Sequence, residues 1–246
     1  MSATTPIKNP LAVSKVYRLA LCLYPEVTAL DYQGPIEFLG GFSTEYRSDL
    51  NSYLHVHHLE EYLPPFAIDI EYVSHSLDAI KPLAGPRMLP TRTYEGVMKS
   101  GEQFDILMIP GGATGNPHQV DSSLLQFLKQ QAPGAKHILT ICTGSWILAG
   151  TGLLDGKKAT SNKMTYNVIK ESTKDRPITW IPKARFVVND DKKIWTSSGV
   201  TAGMDMAYAF MEYLAGPDIA RKLSIMMEVS PKKEDEDEFA EVNGLV

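Results

Sequence analysis

Short apolar runs separated by turn residues recur along this chain and predict a mostly parallel β-sheet. Residues 17–24, 104–109 and 138–141 are apolar almost throughout, which is typical of strands covered on both faces. A helical segment at about 122–131 lies between the second run and the third. Strand, loop, helix and strand in this order are typical of parallel strands joined by crossover helices. The pattern therefore predicts an α/β fold.

Further segments extend this pattern on both sides of the three runs. The additional strands are expected at 66–74, 159–162, 185–188 and 194–197, and the additional helices at 35–39, 165–171, 198–214 and 218–229. The turn residues at 189–191 predict a hairpin between the last two strands. Two prolines and a glycine within 83–93 predict a hairpin or an extended excursion. Between 43 and 65 the pattern is lost, and we expect an inserted loop or short helix.

Length and composition favour one soluble globular domain. The chain has 246 residues, of which 43% are hydrophobic and 22% charged. We expect residues 15–231 to form this domain, residues 1–14 to form a flexible arm, and the acidic residues 232–246 to form a solvated tail.

The charge pattern argues against a nucleic-acid surface or a membrane segment. The formal net charge is −5, and the sequence has no Lys/Arg cluster of the kind that neutralises phosphates. The polar N-terminal segment resembles neither a signal peptide nor a membrane span, so we expect a cytoplasmic protein. In that compartment Cys22 and Cys142 are expected to remain thiols.

Three histidines close together, His55, His57 and His58, raise the possibility of a metal site. No carboxylate or cysteine completes a recognisable ligand spacing around them. We therefore predict that this segment holds no metal.

Cys142 lies at the corner between the strand ending at 141 and a helix predicted from Thr143. At such a corner, free helix amides and the positive end of the helix dipole would stabilise a thiolate, which is the form a nucleophile needs. Gly144 and Gly150 would let neighbouring backbones approach closely. The alternative is that Cys142 is a small buried hydrophobic residue.

Two further loops carry candidate residues at strand ends. Asp31 follows the first strand and precedes Pro35, so it is either a functional carboxyl or the N-cap of the next helix. Gly111 and Gly112 directly follow the strand at 104–109, where absent side chains would expose backbone amides. The alternative there is an ordinary glycine turn.

These segments together resemble the DJ-1/PfpI superfamily, within the class I glutamine-amidotransferase-like fold. The matching pieces are LDYQGPIEFLGGF in the first loop, IPGG after a strand, ICTGSWILAGTGLLDGKKAT at the elbow, and TSSGVTAGMDMAYAFMEYLAG. The resemblance covers about residues 16–231. It implies a flavodoxin-like or Rossmann-like three-layer sandwich with a mostly parallel sheet and a cysteine nucleophile elbow. Within the superfamily, the motifs look most like isonitrile (isocyanide) hydratases, and they also resemble the sensor domains of AraC-type regulators.

The resemblance implies a role for each matching residue. Cys142 would be the nucleophile and Asp31 the proton shuttle, while the backbone N–H groups of Gly112 and Thr143 would bind developing negative charge. It implies no cofactor and no metal, a small-molecule substrate, and a homodimer. The expected reaction is hydration of an isonitrile to an N-substituted formamide.

Two positions depart from patterns seen in relatives. Thr143 follows the cysteine where some members have histidine, and Asn162 ends Thr160-Ser161-Asn162 where many have histidine. Because an amide cannot act as a base, Asp31 is the strong candidate proton carrier. Three alternatives stay open: a glyoxalase-type reaction with a reactive carbonyl, isomerisation or cyclisation of a specialised metabolite, and a non-enzymatic sensor in which Cys142 is oxidised.

Overall fold

The computed structural model describes residues 13–49, 51–56, 63–189 and 191–246 of the chain. A seven-stranded sheet contains Lys15–Cys22 (β1), Phe66–Ser74 (β2), Arg92–Thr93 (β3), Ile106–Ile109 (β4), His137–Thr140 (β5), Phe186–Val188 (β8) and Ile194–Ser197 (β9). A smaller sheet pairs Lys158–Ala159 (β6) with Thr179–Trp180 (β7).

The large sheet is mostly parallel, as the apolar runs predict. Its strand order is β3-β2-β1-β4-β5-β9-β8, and every pairing is parallel except the one between β8 and β9. The predicted hairpin between these two strands is confirmed. Central strands β4 and β5 are buried at every position, because helices flank the sheet. The predicted α/β fold is confirmed.

Ten helices surround or extend this sheet in the described part of the chain. They are Ala29–Gly40 (α1), Thr44–Asp49 (α2), Asn51–Val56 (α3), Tyr94–Ser100 (α4), Ser122–Gln131 (α5), Gly144–Thr151 (α6), Tyr166–Ser172 (α7), Thr201–Ala215 (α8), Pro217–Met226 (α9) and Phe239–Val242 (α10). The predicted bounds of α5 and of strand β2 are confirmed.

Helix α1 begins earlier than predicted. Its N-cap is Thr28, and Pro35 lies inside the helix rather than at its start. Proline cannot donate to the carbonyl four residues earlier, so a helix usually avoids it there at a cost of about 3 kcal/mol. Packing against α8 offsets this cost, since Gly34 lies so close to Met204 that a Cβ would be 2.6 Å from Cγ.

The segment without a clear pattern forms helices α2 and α3 before β2. The expectation of a loop or short helix is confirmed for its described part. His55 lies in α3, whereas His57 and His58 lie outside the described residues. Among the described residues, no three His, Cys, Asp or Glu side chains come together as a metal site would need. The 83–93 excursion is tied by an antiparallel bridge between Ile80 and Met88 and ends in β3.

The prediction of a solvated C-terminal tail is wrong for part of that segment. Asp237 and Ala240 are buried, and residues Phe239–Val242 form α10. The physical reason is a buried lysine, Lys163, whose charge pairs with Asp237. Within the described ranges, we find no helix with the length and apolar character that crossing a bilayer requires.

Candidate active site around Cys142

Cys142 lies directly after β5 in a strained backbone conformation. Its φ angle is +56°, in the left-handed region that residues with a side chain rarely adopt. Two backbone bonds hold the corner: the Ile141 amide donates to the Ile109 carbonyl at 3.0 Å, and the Cys142 amide donates to the Ser198 carbonyl at 3.1 Å. Neighbouring strand ends therefore impose this strain, which is typical of functional sites and projects the side chain out of the sheet.

Glycines allow the crowding around this corner. A Cβ on Gly111 would lie 2.7 Å from the Cys142 Cβ and 2.8 Å from the Asp31 Oδ2 atom. A Cβ on Gly144 would collide with the Ile109 carbonyl, and one on Gly150 would collide with the Pro117 ring. The prediction of close backbone approach is confirmed at Gly144, whereas at Gly150 the close neighbour is the side chain of Pro117.

Asp31 reaches the same place from the first turn of α1. Its carboxyl is fully buried, and Oδ2 accepts a hydrogen bond from the Gly111 amide at 2.9 Å. The interpretation of Asp31 as a helix N-cap is wrong, because Thr28 holds that position and Asp31 points toward the elbow instead. Within the described part of the chain, Oδ1 makes no aligned hydrogen bond. That oxygen can therefore accept a proton.

Burial changes the acidity of this carboxyl. It raises the pKa of Asp31 from its usual 3.8 to about 6, because the charged form loses its hydration. The Gly111 amide, the Cys142 thiol and the Val200 amide oppose this rise, since each stabilises the carboxylate. A carboxyl poised near neutrality can both accept and return a proton.

The thiol is less acidic than its position at a helix start predicts. Burial, followed by the negative charge of Asp31, raises the pKa of Cys142 to about 12, and the amides of Thr143 and Asn162 only partly offset the rise. The expectation that Cys142 rests as a thiolate is therefore wrong, because desolvation raises the thiol pKa more than the helix amides lower it. Cys142 and Asp31 instead share one proton, which resides on sulfur at neutral pH.

Access to the sulfur is narrow. Only 7% of the Cys142 surface is exposed, although the residue lies at the end of the sheet. A groove of about 790 Å³ lies elsewhere, between the β8–β9 edge, α8 and the C-terminal segment, and none of the candidate site residues lines it.

The two amides expected to bind negative charge are in different states. The Thr143 amide lies close enough to the sulfur to lower the thiol pKa. The Gly112 amide donates to the Thr143 hydroxyl at 3.0 Å, so it is already satisfied. Gly112 would become available for an anion only after the Thr143 side chain rotates.

Two residues at this site were not assigned a role from sequence. The Asn162 side chain approaches the thiol, and the Val200 amide approaches the Asp31 carboxyl. Val200 has φ +43°, which is strongly unfavourable for a β-branched residue. The available signal was positional: Val200 follows β9 and Asn162 follows β6, and ligands of open α/β sheets collect at such carboxyl ends.

The sequence also places this chain among known proteins. Residues 42–213, more than half of the chain, match the DJ-1/PfpI family. The chain belongs to the DJ-1/PfpI family. The resemblance inferred from its motifs is thereby confirmed.

Members of several kinds are similar to this DJ-1/PfpI chain. The isonitrile hydratase of Pseudomonas putida is 28% identical over 214 residues, which are 87% of this chain and 79% of the hydratase. The HTH-type transcriptional regulator GbdR of Pseudomonas aeruginosa is 32% identical over 120 residues, which are 49% of this chain and 30% of the regulator. The crystal structure of a ThiJ/PfpI family protein from Pseudomonas syringae has a TM-score of 0.69 and 26% identity, and the match covers 94% of this chain and 83% of that one.

Proposed function

We propose that this chain is a cysteine-dependent enzyme that hydrates isonitriles to N-substituted formamides. The observation that carries the proposal is the buried pairing of the Cys142 thiol with the Asp31 carboxyl, whose pKa is raised to about 6. The similarity to an isonitrile hydratase over 87% of the chain supports the same reaction.

In the first half of the reaction, Asp31 acts as a base and then as an acid. The Cys142 sulfur forms a bond to the terminal carbon of R–NC while the thiol proton moves to the Asp31 carboxylate. That proton then passes to the same carbon, which gives a thioimidate, R–N=CH–S–Cys142. Concerted transfer is required because a free thiolate is costly at this buried position.

In the second half, water replaces sulfur. The Asp31 carboxylate takes a proton from a water molecule as the water oxygen bonds to the thioimidate carbon, and Asp31 then passes this proton to the substrate nitrogen. The carbon–sulfur bond then breaks as the new hydroxyl becomes the carbonyl of the formamide, and the hydroxyl proton passes through Asp31 to the sulfur. The product is R–NH–CHO, so the sum is addition of one water to one isonitrile.

The narrow access to sulfur favours this class of substrate. An isonitrile presents its electrophilic carbon at the tip of a linear group, whereas a carbonyl carbon carries two substituents around the point of attack. With only 7% of Cys142 exposed, a linear tip reaches the sulfur with the smallest displacement of neighbouring atoms.

The Thr143 amide has a defined part in this proposal. It lies beside the sulfur, where it stabilises negative charge as the carbon–sulfur bond breaks. The Gly112 amide contributes if the Thr143 hydroxyl turns toward the substrate during the reaction, releasing the 3.0 Å bond.

An assay of formamide production tests the function. Purified protein is incubated with alkyl and aryl isonitriles, and formamide is followed by NMR beside a parallel assay of lactate from methylglyoxal. We expect formamide from the wild type, loss of at least about 1,000-fold in Cys142→Ala, and retention in Cys22→Ala, which removes the other, buried thiol. Lactate without formamide, or full activity in Cys142→Ala, would refute the proposal.

We also propose that the protein acts as a homodimer, as its family resemblance implies. Sedimentation velocity should give twice the 27.2 kDa mass of the chain across the assay concentrations. A species of 27.2 kDa that is fully active would contradict this assembly.

A further inference from the structure

The C-terminal segment, residues 231–242, folds back onto the domain. The Arg185 amide donates to the Glu234 carbonyl at 2.7 Å, and the Lys232 amide donates to the Asp205 Oδ1 atom at 3.0 Å. Both contacts join the segment to residues that are far away in sequence. The segment is therefore packed as part of the domain.

A buried ion pair fixes the segment on one side. The Lys163 Nζ atom lies 3.4 Å from the Asp237 Oδ2 atom, and the two side chains are 3% and 0% exposed. The Asp237 Oδ1 atom meanwhile accepts from the amides of Phe239 and Ala240 at 2.9 and 2.8 Å. A single carboxylate thus neutralises the lysine and caps α10.

The same lysine holds the strand end that reaches the thiol. Its ammonium donates to the Thr160 hydroxyl and to the Ala184 carbonyl, both at 2.8 Å. Next along the chain, the Ser161 hydroxyl donates to the Cys142 carbonyl at 2.9 Å. Asn162 follows, and its side-chain amide approaches the sulfur.

The Asn162 amide group has a defined place there. A Cβ on Gly199 would lie 2.7 Å from the Asn162 Nδ2 atom, so the amide occupies space that the glycine leaves free. The Asn162 Oδ1 atom accepts from the Thr165 amide at 3.3 Å, which orients Nδ2 as the donor. The amide is therefore positioned by the segment that Lys163 anchors.

A second buried ion pair fixes the other side of the site. Arg185 Nε donates to the Asp205 Oδ2 atom at 2.7 Å, and its NH2 group donates to the Thr201 hydroxyl at 3.0 Å. Thr201 directly follows the strained Val200, whose amide approaches Asp31. The C-terminal segment engages Arg185 and Asp205 through the backbone of Glu234 and Lys232.

A gain in stability does not by itself explain why this protein has two buried ion pairs. Desolvation of a buried ion pair can exceed its Coulombic gain, and apolar replacements are often neutral or stabilising. Burial lowers the pKa of Lys163 to about 8, with Asp237 partly offsetting the effect, which shows the cost of keeping this ammonium buried. A buried pair can instead fix one arrangement among several.

We propose that the C-terminal segment is a positioning element of the active site, in which Asp237 acts through Lys163 to hold the Asn162 amide against the Cys142 sulfur. The proposal rests on the proposed function for its catalytic consequence, but its structural core concerns the reactivity of Cys142. Asn162 donates to the sulfur as negative charge develops there, and Asp237 and Lys163 are positioning residues.

The test measures the rate at which iodoacetamide alkylates Cys142 at fixed neutral pH, followed by peptide mass. Asp237→Asn keeps the shape and the Oδ1 cap but removes the charge. We expect its alkylation rate at fixed neutral pH to fall by about tenfold, because less of the thiol ionises when the Asn162 amide is displaced. Glu238→Gln is the matched control, because Glu238 pairs with Lys232 on the exposed surface at 2.9 Å.

A double-mutant cycle separates positioning from general destabilisation. If Asp237 acts through Asn162, Asn162→Ala should reproduce the slowing, and Asp237→Asn should add nothing further in that background. If Asp237→Asn does not fold, the paired change of Lys163→Met with Asp237→Leu, which leaves no unpaired buried charge, carries the same test and the same expectation.

Two results would overturn the proposal. One is an unchanged alkylation rate in a folded Asp237 variant with a lowered melting temperature, and the other is additive effects of Asp237→Asn and Asn162→Ala in the cycle. Since alkylation needs no isonitrile, it reports on positioning even if the wild type produces no formamide. Absence of formamide in the wild type would instead count against the proposed function. Where the wild type is active, kcat should fall in Asp237→Asn with KM little changed.

Discussion

At the scale of single residues, the central feature is one proton shared between the Cys142 sulfur and the Asp31 carboxyl. Burial raises the pKa of both groups, and the carboxyl titrates near 6. At neutral pH the Asp31 carboxyl is therefore ionised and can act as a base, whereas the Cys142 thiol retains its proton. This protonation state is the one that the proposed attack on an isonitrile requires.

The shared proton predicts an acid limb in the pH profile of isonitrile hydration. Below about pH 6 the Asp31 carboxylate becomes protonated and can no longer accept the thiol proton, so kcat/KM should fall about tenfold per pH unit. Above that point the rate should level off, because the thiol keeps its proton up to about 12. A rate that is flat or rising toward acid pH would show that the carboxylate is not the base.

The positions of the candidate site residues could be inferred from sequence, whereas their acidity, which depends on burial, could not. Cys142 at a strand end and Asp31 in the first loop were both identified, and the structure brings them together. The direction of the thiol pKa was missed, because desolvation depends on all the atoms packed around the sulfur and no local pattern encodes it. The Gly112 amide was expected to be free, yet a rotamer of Thr143 decides that.

At the scale of elements, the carboxyl ends of four strands build the site. The first turn of α1, which follows β1, supplies Asp31, and the loops after β4, β5 and β9 supply Gly111, Cys142 and Val200. Parallel strands bring such loops to one edge of the sheet, and the crowding there leaves room for backbone only. The geometry of the site therefore depends on small residues at the strand ends.

Gly111→Ala tests this dependence. The added Cβ would press on the Cys142 Cβ and the Thr143 amide, both at 2.7 Å, so we expect a stability loss of about 1–3 kcal/mol and a rate loss of about 100-fold. Gly41→Ala is the control, since Gly41 has a helical φ of −61° and open space around its Cβ position. Thermal denaturation and the formamide assay check both variants. If Gly111→Ala and Gly41→Ala had the same stability and the same rate, the crowding inferred at Gly111 would be contradicted.

The bounds of helices and strands were predictable where one strong sequence pattern determines them. The alternation in β2 and the amphipathic pattern of α5 gave their bounds. The start of α1 was placed too late because Pro35 is typical of a first helical turn and Asp31 of an N-cap, whereas packing on α8 carries the helix through that proline. Helix α4 was missed, although Thr93 caps it by accepting from the Gly96 amide at 3.0 Å.

At the scale of the whole molecule, the buried Asp31 carboxyl reduces stability. The folded-state pKa of Asp31 lies above its usual 3.8, so its contribution favours folding below about pH 4 and is lost as pH rises through about 6. At pH 8 the buried carboxylate thus costs about 3 kcal/mol relative to its protonated form. Function and stability oppose each other at this residue.

Asp31→Asn should therefore stabilise the protein while removing its activity. We expect the free energy of unfolding at pH 8 to increase by about 1–3 kcal/mol, and the difference to vanish near pH 4. Denaturant titrations at both pH values measure this, with exposed Asp175→Asn as a control that changes the same net charge. A destabilised variant at pH 8 would show that the carboxylate is better solvated than its burial indicates.

The packing of the C-terminal segment is the whole-molecule feature that sequence could not supply. Its run of acidic residues is typical of a solvated tail, and only the position of Lys163, far away in the chain, shows which aspartate is paired. Burial of a charge depends on a partner brought by the fold, so composition alone gave the wrong expectation for Asp237.

The most direct measurement of the central claim is the mass of the Cys142 peptide during a single turnover of an isonitrile, quenched at successive times. We predict an adduct on Cys142 whose added mass equals that of the substrate and which decays as formamide forms. In Asp31→Asn its formation should be slowed by at least about 100-fold. Formamide produced without any adduct on Cys142, or an adduct that forms equally fast in Asp31→Asn, would contradict the claim that this thiol and this carboxyl act together.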